Sequence, residues 1–423
     1  MVNDDLSIFS ADPVLTSLRN LSMENLWSAI ERCVPQKLLD TPIPSYRMSN
    51  LRYSPRKKMI VGLTSNTSQK PISLRIFPRG SVHDRLAKAQ RSHPDHTFLL
   101  DDLNAIAWVF PGERKLDLSL IDNTARLATI LKAHRGYELS DVKLMHFVPE
   151  HTYTARVFGR RRDGSVVCEY IKIYYDDQGA TTARIMNSLA PKLTGSAIRI
   201  PDDISYIPEH RLLVQSEIRR APKQSLSHRE AAVALAAFHE LTAEDAPVRT
   251  DNPQAEHQNV LEIVDKVFPG LINEIREVSE SIVEALELAP HPESVLVHGD
   301  AHLGNLFPIA GRLTGVIDLD RVAFGRADDD LASFLAFKAW LRLRDRLDPD
   351  LVLWELPQFV ATYNNCAKRP VRVKGVYQRL AHKMIVERVR RGITRGKVSD
   401  ASEILGFLRI ARLSLEAARR YYD

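Results

Sequence analysis

Residues 295–325, VLVHGDAHLGNLFPIAGRLTGVIDLDRVAFG, constrain this chain more than any other stretch. The apolar runs VLV, NLF and TGVI have strand character, and AGR is turn chemistry. Yet Asp300, Asn305, Asp318 and Asp320 sit among them. A carboxylate stranded in an apolar interior is costly unless it is paired or holds a cation. The segment is therefore expected to form a strand (VLVH), a polar loop (GDAHLGN) and a hairpin (NLF, LTGVID) about AGR. That arrangement brings Asp300, Asn305 and Asp318 to one side.

An Asp, an Asn five residues on and an Asp thirteen further suit magnesium-dependent phosphoryl transfer. Mg²⁺ takes hard oxygen ligands, few of them from protein, and shares its shell with phosphates and water. The remaining Asp can accept a proton from an attacking hydroxyl. Two helix-capping acids and an ordinary turn Asn are the plainer alternative, but H-G-D-x-H-x-G-N followed by I-D-L-D is too dense for it. His302 reads as a hydrogen-bonding prop. No third nitrogen or sulfur ligand has the spacing of a zinc site.

The rest of the chain divides by pattern. Residues 1–40 read as short helices. LRYSPRKKMIVGLTS and PISLRIFP alternate as strands, SVHDRLAKAQ has helical spacing, AIAWVFP is a strand, and RKLDLSLIDNTARLATILKAH reads as turn then helix. Residues 142–240 repeat this order, with VKLMHFVPEHTYTARVFG and SVVCEYIKIYY meeting at Asp163-Gly164, a GATTARIMNSLA helix, and RLLVQSEI. Tyr53-Ser54-Pro55 echoes Phe147-Val148-Pro149, and Leu74-Arg75-Ile76-Phe77 echoes Ile171-Lys172-Ile173-Tyr174. A duplication is expected, with chance likeness as the alternative. From about 225 onward the chain is mostly helical. The expected domains are 1–140, an α/β cap unit and candidate degenerate repeat; 141–222, strand-rich; and 223–423, helical with the polar loop. The class is α+β.

H298-G-D-A-H-L-G-N305 with V-I-D318-L-D320 resembles the aminoglycoside phosphotransferase / choline kinase-like family of small-molecule kinases. The resemblance implies a two-lobed protein-kinase-like fold, with ATP and Mg²⁺ as cofactors. It implies Asp300 as catalytic base, Asn305 and Asp318 as Mg²⁺ ligands, Asp320 assisting, and His298 bracing the loop. Asp330, in D330-L-A332, would anchor that loop from the following helix; its plainer role is an acid at a helix N-terminus. Lys172, in E-Y-I-K-I-Y, would meet the phosphates. Glu217 to Arg219 would offer backbone groups to adenine, and AVALAAFHEL resembles the helix beyond that hinge. The likeness spans about 142–340. Two departures stand out. V-P-E-H-T-Y-T-A-R has no glycine for a phosphate loop, and the Thr152 and Thr154 hydroxyls or backbone amides are expected to substitute. No Glu lies between Gln178 and Arg199 to pair Lys172, which leaves Asp176 or Asp177.

The leading expectation is an ATP-dependent phosphotransferase acting on a hydroxyl of a small molecule, a sugar or related metabolite. A catalytically weak kinase-like scaffold and an aminoglycoside-type antibiotic kinase are the alternatives. Residues 366–397 hold eleven Lys or Arg against one acid, Glu387. That stretch is either a solvated helix face or a surface facing an anion. In the second case a neutral or anionic acceptor is favoured over a polycation. It lacks the aromatic-interleaved platform of nucleic-acid binders, which argues against nucleic acid. Three scattered cysteines, no apolar run long enough to span a bilayer and no signal-like N-terminus lead to an expected cytoplasmic setting.

Overall fold

The computed structural model describes residues 6–222, 224–289, 293–398 and 400–421. The chain is α+β, as expected, and forms two compact units. The first comprises Met1–Ala180, Ser205–Glu217 and Gly392–Ser399; the second comprises Thr181–Ile204, Ile218–Arg391 and Asp400–Asp423.

The first unit is strand-rich. It begins with helix α1 (Met23–Cys33) and strands β1 (Arg47–Ser54), β2 (Lys58–Thr64) and β3 (Ile72–Ile76). Helix α2 (Val82–Gln90), β4 (Thr97–Leu100) and β5 (Ala105–Val109) follow. Helices α3 (Ser119–Asp122) and α4 (Thr124–Arg135) lead to β6 (Tyr137–Val148), β7 (Thr152–Arg161) and β8 (Val166–Tyr174). Helix α5 (Gln178–Leu189) and the short β9 (Ile198–Arg199), which fall mostly in the second unit, precede β10 (Ser205–Ile207) and β11 (Leu212–Ser216) of the first. One antiparallel sheet has the order β1-β2-β3-β5-β4 and the other β6-β7-β8-β11-β10. Strand for strand the two topologies are the same, with α2 and α5 at the same step.

The correspondence reaches single residues. Pro55-Arg56 and Pro149-Glu150 turn the first two strands of each sheet, and Arg56 and Glu150 are both left-handed at φ 58°. Arg56 donates its N–H to Asp12, which also accepts from the N–H groups of Val14 and Leu15. Glu150 donates its N–H to Glu113, which also accepts from Lys115 and Leu116. Before the last strand of each sheet stands another left-handed residue, Asn104 or Arg211. Its carbonyl accepts from Phe77 or Tyr174 respectively, at 3.0 and 3.1 Å. Such matched positive-φ positions are uncommon for non-glycine residues.

Alternation explains the faces. In β8, Ile171 and Ile173 join Tyr153, Val157, Leu212 and Val214 in a core closed by Leu127 and Leu131 of α4. Lys172 between them takes the opposite face. In the first sheet Phe77, Ile106 and Trp108 form a second small core with Val82 and Leu86 of α2.

The second unit is helical. Helix α6 (His228–His239) opens with a capping box, in which Ser227 and Glu230 satisfy each other's backbone N–H groups. Helices α7 (Pro253–Val267) and α8 (Ile272–Glu287) lead to β12 (Val295–Val297), β13 (Leu306–Ile309), β14 (Leu313–Val316) and β15 (Ala323–Gly325). β13 and β14 form the expected hairpin about Ala310–Arg312, and β9 adds a parallel edge to it. Helices α9 (Ala327–Arg344), α10 (Leu351–Asn364), α11 (Val373–Lys383), α12 (Arg390–Thr394) and α13 (Ala401–Arg419) complete the unit. Between α11 and α12 the helical chain widens into a π-turn, Met384–Val389. Among the described residues no helix is long and apolar enough to cross a membrane.

Candidate active site

The loop after β12 is fixed from below by Asp330, in the first turn of α9. Its carboxylate accepts from the backbone N–H of His298 at 2.6 Å and of Gly299 at 2.9 Å. His239, the last residue of α6, contacts it at 3.1 Å through Nε2, with the other ring nitrogen 2.8 Å from the Tyr363 hydroxyl. Burial opposes ionisation of Asp330, but these hydrogen bonds hold its carboxyl below the ordinary range. A carboxylate accepting several N–H bonds is the expected case for such a shift.

His298 then ties the loop to the hairpin. Its Nε2 lies 2.9 Å from the Ile317 carbonyl, so that nitrogen must donate; its Nδ1 accepts from the Asp300 N–H at 3.3 Å. The two contacts require the neutral ring with the proton on Nε2. Gly299 is left-handed at φ 75°, and a Cβ there would collide with the Arg321 carbonyl, so only glycine fits. The side chain of Asp300 is 24% exposed.

Asn305 is buried. Its amide nitrogen donates to the Asp300 carbonyl at 3.1 Å, which leaves its amide oxygen as the acceptor. The Asn305 carbonyl accepts from the Ile317 N–H at 3.0 Å. That bond extends the β13–β14 ladder one step and sets Asp318 next to the loop. Asp318 is exposed and left-handed at φ 60°. A bulky or branched residue would be strained there, and such outliers cluster at functional positions. Asp320 accepts weakly from the Thr182 hydroxyl at 3.4 Å. The amide oxygen of Asn305 and the carboxylate of Asp318 are the hard oxygen donors that Mg²⁺ takes, so the residues present fit that ion. Among the described residues no group of three His, Cys, Asp or Glu is arranged for a metal.

Composition and spacing did not expose the groups that face Asp300. Arg391 lies 3.5 Å from its carboxylate. Glu387, on the π-turn, is buried among Lys383 and Arg388 at 3.5 Å and Arg391 at 3.9 Å. Burial pulls the Arg388 guanidinium below its ordinary range, Glu387 opposes this, and Arg391 adds to it. The Nε of Arg388 is buried without a hydrogen-bond partner. The Phe337 ring holds that guanidinium at 5.3 Å and stacks on His302 at 4.5 Å. Burial drives His302 down to about 4, so it is neutral near pH 7 and accepts from the Gly304 N–H. The basic stretch is thus neither a solvated face throughout nor a uniform surface. Arg379 and Lys383 are buried in ion pairs with Asp251, Asp329 and Glu387, while Arg388 and Arg391 lie toward Asp300. A π-turn inserts one extra residue into the helical repeat and is frequent at functional positions.

The other expected residues belong to the strand-rich unit or its border. Lys172 lies opposite Thr154 in β7 and Leu213 in β11, with its ammonium 5.2 Å from the Tyr174 ring. Thr152 is buried opposite Tyr174, on the same face. Asp176 caps the start of α5 through the Gln178 N–H, and Asp177 lies 3.7 Å from Arg211. Glu217 ends the unit. Its N–H donates to the Cys168 carbonyl and its carboxylate pairs Arg156 at 2.7 Å. That N–H is therefore not available to a base. Ile218 and Arg219 begin the helical unit.

Residues 175–361 match the family model described as the phosphotransferase enzyme family. The matched span contains every residue of the Asp300 loop and hairpin and the Asp330 anchor, so the family likeness read from those motifs is shown. No curated protein matches the chain. Among solved structures, the chain is similar to a GDP complex of aminoglycoside 2'-phosphotransferase-IIIa, with 17% identity, 71% of this chain and 100% of that one covered, and a TM-score of 0.43. It is also similar to a spectinomycin phosphotransferase in complex with ADP and spectinomycin (12%, 70% and 97%, 0.48). A third is the choline kinase from Streptococcus pneumoniae (11%, 70% and 99%, 0.46).

Proposed function

We propose that this small-molecule phosphotransferase uses Mg²⁺ and ATP to phosphorylate a hydroxyl of an acceptor that is neutral or anionic, a sugar or sugar-like acid in the first instance. The observation that carries this reading is the Asp300 loop itself. It is locked by Asp330 and His298, joined through Asn305 to the hairpin bearing Asp318, and faced by Arg391.

Asp300 would accept the proton of the attacking hydroxyl, and the bonds from Asp330 and His298 hold it in place for that. Asn305 and Asp318 would hold Mg²⁺, with Asp320 in support. When bound, the ion would neutralise charge on the transferring phosphoryl group. Lys172 would meet the nucleotide phosphates. Catalysis by such parts is chiefly positioning and electrostatics. Arg388 and Arg391 bias the choice of acceptor. A hydroxyl held at Asp300 lies beside Arg391, so a carboxylate or phosphate on the same molecule gains a charge-assisted bond, and a polyamine is repelled.

The test is phosphoryl transfer from Mg-ATP to a panel of sugars, sugar acids, sugar phosphates, amino alcohols and aminoglycosides, with product mass as the readout. The expected product is a phosphorylated sugar or sugar acid, and Asp300→Asn should lower kcat by about 10²–10⁴-fold. Preferred turnover of an aminoglycoside would overturn the acceptor class. Nucleotide binding with no turnover on any acceptor would favour the scaffold alternative.

A further inference from the structure

The N-terminal sheet carries a cavity of about 280 Å³ over its α2 face. Its floor is apolar, made by Phe77, Ile106 and Trp108. Its walls carry five Lys or Arg and no acid: Arg75, Arg85, Lys88, Arg114 and Lys115. Arg85 and Lys88 make no ion pair among the described residues. Among the described residues, the side chains of this group pair with one carboxylate, Glu150, 3.1 Å from Arg75 and 3.0 Å from Arg114. Five like charges around one concavity repel one another, and a single carboxylate compensates two of them at most.

Arg75 is the built part of the site. Its side chain is only 12% exposed. The Nε is buried and has no hydrogen-bond partner. The Phe77 ring lies under both Arg75, at 5.1 Å, and Arg85, at 4.9 Å, which fixes two guanidinium groups beside the cavity. The charge excess registers on the titrating groups. Burial, with Arg114 and Arg85, pulls Arg75 below its ordinary range against the opposing effect of Glu150. Burial, with Arg75, Arg52 and Arg114, likewise lowers Lys58.

Position adds an independent observation. Arg75 lies two residues before the strand-end N–H that bonds a left-handed residue, Phe77 to Asn104. Lys172 lies two residues before Tyr174, which bonds Arg211. Arg75 pairs across to Ile60 and Ile106 as Lys172 pairs to Thr154 and Leu213. The cationic residue therefore occupies the same register position in both sheets.

We propose that the N-terminal sheet is a degenerate repeat of the second and holds, in this cavity, a second anion site for a phosphate-bearing small molecule. Arg75 and Arg85 would grip the phosphate, Lys88 and Lys115 would line its approach, and the Phe77–Trp108 floor would take an apolar or ring portion. Glu150, on the turn between β6 and β7, is the internal competitor for Arg75 and Arg114. No catalysis belongs to this site, since no acid equivalent to Asp300 lines it.

The test is calorimetry with inorganic pyrophosphate on full-length Lys172→Ala protein in EDTA, which removes the metal-dependent phosphate binding of the proposed active site. One saturable site is expected. It should weaken about tenfold or more in Arg85→Ser/Lys88→Ser, two exposed positions whose loss removes charge-assisted bonds and leaves the core intact. It should tighten in Glu150→Gln, which releases Arg75 and Arg114. Citrate in place of pyrophosphate should bind more weakly, and equal binding would overturn the phosphate assignment. Absence of a saturable site, or affinity unchanged by the double substitution, would overturn the site. Loss of acceptor phosphorylation in Asp300→Asn reports on the other proposal and leaves this one untouched.

Discussion

The two five-stranded sheets have one topology and two chemistries. In the second, Lys172 stands on the face of β8 opposite Ile171 and Ile173, and the chain runs on into the unit that carries Asp300, Asn305 and Asp318. In the first, Arg75 takes the same register position but pairs with Glu150, and α2 carries Arg85 and Lys88. In both halves apolar alternation sets which face of a strand is buried. The opposite faces differ: beside Arg75, Phe77, Ile106 and Trp108 pack under α2, whereas Lys172 lies opposite Thr154.

The contact between the halves also differs in kind from a loose tether. The turn at Pro149-Glu150, the place where many kinases use glycines, is fastened to the first sheet. Arg52 donates to the Pro149 carbonyl, Glu113 takes the Glu150 N–H, and Arg75 and Arg114 hold its carboxylate. A turn restrained in this way has less need of glycine to define its shape, because side chains from the first sheet define it.

The comparison breaks most easily at its two cations. Lys172→Ala should lower kcat/KM for ATP by about 10²–10³-fold, the scale of a lost charge-stabilising donor. Arg75→Ala should leave kcat within about twofold if the first sheet takes no part in chemistry, and stopped assays of product against time decide this. Equal losses from both would mean that the sheets act as one site.

A smaller effect is expected where the halves touch. A Cβ on Gly62 of β2 would lie 2.9 Å from the Pro149 ring. Gly62→Ala should therefore cost about 1–3 kcal/mol by overpacking, read as a shift in the denaturant midpoint. Gly80→Ala, at an open positive-φ position, tests backbone strain without the clash.

An effect of similar size, but dependent on pH, concerns the acids that brace the paired turns. Asp12 takes four hydrogen bonds, from Val14, Leu15, Arg56 and the Tyr53 hydroxyl. Burial opposes its ionisation, yet these bonds hold its carboxyl below the ordinary 3.8. Its contribution to stability is thus present above that value and is lost as pH falls through the lowered one. Asp12→Ala should cost about 1–3 kcal/mol at neutral pH and progressively less in acid, as thermal melts at a series of pH values would show.

Much of the helical unit was legible in the residues. The AGR turn and the apolar runs of β13 and β14 are local signals, and the structure has each of them. β4 and β10 were not seen, because four and three residues at a sheet edge carry too little pattern. The π-turn was not seen either, because its sequence, MIVERV, keeps ordinary helix formers. The family match covers the same stretch in which the motifs are dense.

The chemistry of residues 298–320 was set by the sequence, because loop and hairpin lie within one short segment and their spacing alone decides which side chains can meet. The partners of that chemistry were set by the fold. Arg391 meets Asp300 across 91 positions, His239 meets Asp330 across 91, and Arg75 meets Glu150 across 75. Contacts at such separations depend on how helices and sheets pack, and no periodicity in a single chain encodes which of many arginines a given carboxylate will find.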